Sequence, residues 1–131
     1  MKKTVEFLNS VGTYFLATTE GDQPRVRPFG ATVEYQGKLY FCTSNQKPVY
    51  RQMMANPKVE ISGCNAQGAW IRICGEAVVD ADRGAQEAML AANEVLKGLY
   101  SIGDGIFTVF YLKNATATFT SFTTEPEVHT L

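Results

Sequence analysis

Residues 25–44 read RVRPFGATVEYQGKLYFCTS. The stretch is rich in β-branched and aromatic residues, and Gln36-Gly37 breaks it in the manner of a hairpin tip. The sequence therefore predicts a strand over RVRPFGATVEY and a returning strand over Leu39–Thr43. Residues two apart on a strand share a face, so Arg25, Arg27 and Phe29 stand on one side and Val26 and Pro28 on the other. Pro28 has no N–H to donate, which confines it to a sheet edge, a strand end or a bulge. Gly30 lets another group approach the backbone. Two arginines on one face repel unless an anion or a carboxylate lies between them. The stretch reads either as a strand open to an anionic, non-protein partner or as an exposed edge strand with solvated arginines.

Strand-like runs continue on both sides. Upstream, Val5–Ser10 is expected to be a short helix capped by Thr4 and ended by Gly12, and Thr13–Thr19 a strand. Downstream, Val49–Ala55 has helical composition and must stop at Asn56-Pro57. Val59–Gly63 and Ala69–Asp80 read as strands, and Asp82 to about Leu99 as a helix or helix pair. IFTVFYL and ATATFTSF read as two strands joined at Lys113-Asn114. Short strands at hairpin spacing argue for a mainly β chain: a six- to seven-stranded antiparallel barrel, closed or nearly so, with flanking short helices. A sandwich is the structural alternative.

The chain has 131 residues, the size of a single domain spanning 1–131. It is 45% hydrophobic and 19% charged, as globular domains are. The net charge of −1, with no basic run, argues against a nucleic-acid partner. No apolar run is long enough for a signal segment or a membrane span, so a cytoplasmic protein with no membrane partner is expected. The three cysteines, Cys42, Cys64 and Cys74, show no CxxC spacing and read as reduced thiols. A single histidine, His129, leaves poor material for a metal site or a Cys–His nucleophile, so no metal and no catalytic residue is assigned.

Two further segments carry chemistry. In CTSNQKPVYRQ, residues 42–52, the hydroxyls of Thr43 and Ser44, the amide of Asn45, the Lys47 ammonium and a helix start form a set able to cradle a phosphate; an ordinary helix cap is the plainer reading. In GAWIRICG, residues 68–75, Trp70 and Arg72 share the face opposite Ile71 and Ile73. That pattern suits stacking or a protein interface, or else a surface cation–π pair.

The ordered set RVRPFG, YFCTSNQK, NPKVEIS and WIRICGEA resembles the small single-domain members of the pyridoxamine 5′-phosphate oxidase-like, FMN-binding split-barrel family, from Tyr14 through Phe122. The resemblance implies a split barrel that dimerises with FMN at the subunit interface. It implies that Arg25, Val26, Arg27, Pro28 and Phe29 line the flavin, and that Thr43, Ser44, Asn45 and Lys47 hold the ribityl chain and phosphate. Trp70 and Arg72 would reach the partner's flavin. The C-terminal TTEPEVHTL lacks the basic, histidine-containing substrate motif of the full-length oxidases, so conversion of pyridoxamine phosphate is not expected. The implied function is a flavin-dependent oxidoreductase acting on a small molecule. A non-enzymatic FMN electron carrier, or a barrel using F420 or heme, is the alternative.

Overall fold

In the computed structural model, which describes residues 1–131, eight strands and three α-helices follow in a fixed order. They are α1 (Lys2–Val11), β1 (Tyr14–Glu20), β2 (Gln23–Phe29), β3 (Thr32–Tyr35), β4 (Lys38–Ser44), α2 (Pro48–Ala55), β5 (Lys58–Cys64), β6 (Trp70–Asp80), α3 (Arg83–Ala92), β7 (Phe107–Thr120) and β8 (Glu127–Thr130). A 3-10 helix, Glu94–Gly98, follows α3. All pairings are antiparallel, in the order β2-β1-β5-β6-β7-β4-β3, with β8 added to β7. The two ends of this path, β2 and β3, are joined in the chain by Gly30-Ala31 alone. A link that short cannot cross a flat seven-strand sheet, so the sheet curls until its ends meet without pairing: a split barrel.

The expected single strand over RVRPFGATVEY is therefore two. β2 pairs only with β1, and on that edge Pro24 and Pro28 need no ladder partner. The two expected strands over IFTVFYL and ATATFTSF are instead one, β7. Asn114 takes φ 53°, but it makes a bulge rather than a reversal, with the β6 register slipping between Cys74 and Glu76. The bend lets the first half of β7 pair with β4 and the second half with β8. β8 itself was not expected. The first helix starts at Lys2, so Thr4 is no cap; it is fully buried with an unpaired hydroxyl. Gly12, φ 82°, ends that helix as anticipated.

Alternation fills the barrel. Tyr14, Leu16, Ile61, Ile71, Ile73, Phe110 and Ala117 point inward and are essentially inaccessible. A second apolar cluster packs α3 onto the sheet through Ala85, Met89, Tyr40, Phe107 and Val109. Asp82 caps α3 by accepting from the Gly84 N–H at 3.3 Å. No helix is long and apolar enough to cross a membrane.

Candidate functional site

β2 pairs with β1 so that Arg27 faces Leu16 and Arg25 faces Thr18. Leu16 and Thr18 are buried, so both arginines stand on the barrel side of the edge strand. α2 covers that side, because Val49, Gln52 and Met53 form its buried stripe. Arg27 is held by three acceptors: the Leu16 carbonyl at 3.2 Å, Thr18 Oγ1 at 2.7 Å and Gln52 Oε1 at 2.5 Å. Thr18 also donates to Gln52, closing the network. Burial, and then the neighbouring Arg25 charge, lowers the Arg27 pKa from its ordinary value. Arg25 finds a partial answer to that repulsion in Glu20, 3.0 Å away.

Two cavities meet at this strand. A basic cleft of about 660 Å³ is lined by Arg25, Arg27, Lys47 and Arg51, with Glu20 as its only carboxylate. An apolar cavity of about 500 Å³ is lined by Phe29, Cys42, Leu96, Leu99 and Tyr100 among others. Arg27, Pro28, Lys47 and Val49 line both. Each lies in the size range of small-molecule sites, about 300–1,000 Å³. The junction suits a flat, apolar ring system with an anionic tail: the apolar walls take the ring, and Arg27 and Lys47, the cations common to both cavities, take the tail.

The anticipated residues divide cleanly. Arg25, Val26, Arg27, Pro28, Phe29, Thr43 and Lys47 line one or both cavities. Ser44 and Asn45 line neither. Ser44 Oγ accepts from the Gln46 N–H at 3.1 Å, and the Asn45 side chain donates to the Gly105 carbonyl at 2.9 Å, so their polar groups brace the loop. Trp70 and Arg72 lie on the opposite face of the sheet. Arg72 pairs in register with Ser62, which pairs with Phe15 on the outer side of β1. Three strand steps, roughly 14 Å, separate it from β2. Within one protomer these two residues cannot join the cavities.

Several lining residues escaped the sequence reading. Arg51 and Gln52 come from α2, and their i, i+3 and i+4 spacing from Lys47–Pro48 could have placed them on the same side as the cation loop. The wall formed by Asn93, Glu94, Val95, Leu96, Leu99 and Tyr100 was readable only as the end of a helix, because the 3-10 turn that carries it shows no site chemistry of its own. Tyr100 stacks on Phe107 at 5.0 Å, and the Asn93 amide donates to the Thr32 carbonyl at 3.3 Å; both anchor that wall to the barrel. Burial pushes the Cys42 thiol up to about 11 against the pull of Lys47, and burial likewise raises the Tyr100 pKa.

Residues 1–121 match the family model described as pyridoxamine 5′-phosphate oxidase. No curated protein matches the sequence. Among solved structures, the chain is similar to a NimC/NimA family protein from Clostridium acetobutylicum, with 51% identity, TM-score 0.97, and coverage of 100% of this chain and 92% of that one. It shares its fold with a heme binding protein from Mycobacterium smegmatis, at 18% identity and TM-score 0.74, covering 92% of this chain and 53% of the other. The same fold recurs in a pyridoxamine 5′-phosphate oxidase-related, FMN binding protein from Nostoc punctiforme, at 14% identity and TM-score 0.60, covering 99% and 94%. With the family model spanning residues 1–121, nearly the whole chain, the chain belongs to the pyridoxamine 5′-phosphate oxidase family.

Proposed function

We propose that the chain binds FMN and serves as a flavin-dependent oxidoreductase for a small molecule, working as a homodimer. The observation that carries this reading is the junction of the apolar cavity with the basic cleft at Arg27, Pro28, Lys47 and Val49. FMN, when bound, supplies the redox chemistry. The chain's own residues bind, orient and shield it. Arg27, already fixed by Leu16, Thr18 and Gln52, presents its remaining N–H groups without a further ordering cost. Lys47, at the N-cap of α2, adds a point charge at the start of the helix, where Pro48 has no N–H and the Tyr50 N–H donates to the Lys47 carbonyl. Thr43 supplies a hydroxyl on the cavity wall.

One fold relative is a heme binding protein. This cavity is lined by no histidine or methionine; its possible iron ligands are Cys42, Lys47, Glu94 and Tyr100, and burial raises the pKa of Cys42 and of Tyr100, which works against ligation by their deprotonated forms. His129 is bonded to Glu127 on β8 and lies outside both cavities. These features favour FMN.

The dimer is part of the proposal. Phe15, 49% exposed, and Val26, 66% exposed, stand on the outer face with Pro28, Val128, Trp70 and Arg72. A second copy seated there would cover this apolar surface and bring Trp70 and Arg72 toward its partner's cavities.

Titration of flavin fluorescence with the protein tests the reading. FMN is expected to bind at least tenfold more tightly than riboflavin, which lacks the phosphate. Equal affinities would remove the basic cleft from the site.

A further inference from the structure

The basic cleft carries more positive charge than one phosphate monoester needs. Such a group bears about −1.5 to −2 at neutral pH, which two cations match. The cleft presents four cations against the single carboxylate of Glu20. Their positions differ. Arg27 and Lys47 line both the apolar cavity and the cleft, whereas Arg25 and Arg51 line only the cleft. Beyond Arg51 the cleft runs into a recess of about 370 Å³, the two sharing Glu20, Arg51 and Gln52. That recess adds Thr19, Gly21 and Asn56, and with them hydroxyl, amide and backbone groups. Arg51 is exposed, pairs with no carboxylate, and has cavity on both sides.

We propose that Arg25 and Arg51 form a second anion subsite, which takes the diphosphate of an adenine dinucleotide and directs its nucleoside into the recess. The inference rests on the reading of the apolar cavity, Arg27 and Lys47 as the FMN site. In a flavin that carries the adenylate, the second phosphate reaches from the inner cations to the outer pair; in a dinucleotide bound beside FMN, both phosphates rest on the outer pair. The recess then offers the hydrogen-bonding groups that a ribose and a base require. Two sources share this chemistry: a nicotinamide dinucleotide bound beside FMN as electron donor, or a flavin cofactor that itself carries the adenylate.

Isothermal titration of ADP into the FMN-loaded protein is the test, run beside an Arg51→Gln variant whose lost side chain supports nothing in the fold. ADP is expected to bind without displacing FMN, and the variant to bind it about tenfold more weakly with FMN affinity unchanged. Competition by NADH or NADPH for the same site then assigns the subsite to the donor. Preference of the flavin-free protein for FAD over FMN, with bound FAD excluding ADP, assigns it to the cofactor. Displacement of FMN by ADP, absence of ADP binding, or an Arg51→Gln variant that binds ADP like the parent each overturns the proposal. A protein that takes ADP through Arg51 but holds no FMN would keep the subsite and refute the FMN reading alone.

Discussion

Lys47 and Arg27 are both assigned to the phosphate, yet the fold uses them differently, and that difference is measurable. Lys47 forms no ion pair and lines both cavities, so its removal should touch binding alone. Losing one charge-assisted contact to a phosphate dianion costs about 2 kcal/mol, or about 30-fold in affinity. Lys47→Ala should therefore raise the FMN Kd about 30-fold and leave the melting temperature of the flavin-free protein within about 1 °C of the parent. Arg27 instead ties β2 to β1 and α2 through three bonds. An ammonium in its place keeps the charge but reaches fewer of those acceptors at once. Allowing for the partial exposure of the site, the loss is about 1–2 kcal/mol, a fall of about 4–8 °C in flavin-free melting temperature for a chain of this size. Thermal melts and flavin titrations on both variants separate the effects. The reasoning fails if Lys47→Ala binds FMN like the parent, or if it melts as low as Arg27→Lys.

Other consequences follow from particular contacts. A Cβ at Gly84 would stand 2.1 Å from the Tyr35 hydroxyl, whose ring lies edge-on to Tyr40; Gly84→Ala should cost about 1–3 kcal/mol in urea melts, and less in a Tyr35→Ala background. Cys42, with its thiol raised to about 11, should resist iodoacetamide at pH 8 while the exposed Cys64 and Cys74 react, as peptide mapping would reveal. Because that pKa is raised on folding, its stabilising contribution is complete below the thiol's unfolded value and is lost as pH rises through about 11, so melts should weaken on the alkaline side. Phe15→Asp places a charge in the exposed apolar face and should give a monomer by size-exclusion chromatography with the fold unchanged by circular dichroism. An unaltered dimer would move the interface elsewhere.

The barrel was legible in the sequence because its evidence is local. Alternation at Ile71 and Ile73, the Gln36-Gly37 tip and the prolines on β2 each state their surroundings. The errors arose where a residue's local meaning was overruled by distant partners. Lys113-Asn114 has turn chemistry, yet β6 runs past it on one side and holds β7 as one bent strand. RVRPFGATVEY reads as one strand-like run, yet Gly30-Ala31 is where the chain leaves one sheet end for the other, and nothing local marks the opposite edge. The site divides along the same line. The cations of β2 and the Lys47 loop were readable because strand parity and a helix start place them. Ser44 and Asn45 offered the same chemistry but turned to brace the Gly105 loop. The wall at Asn93–Tyr100 is brought to the cavity only by the packing of α3 on β3 and β4.

The most direct test of the central claim is a visible absorbance spectrum of the protein incubated with FMN and then desalted. Retained flavin bands at about one FMN per chain, lost in an Arg27→Ala, Lys47→Ala double variant that still folds, are the predicted result. A colourless wild-type protein after desalting would contradict the assignment of the apolar cavity and its inner cations to FMN.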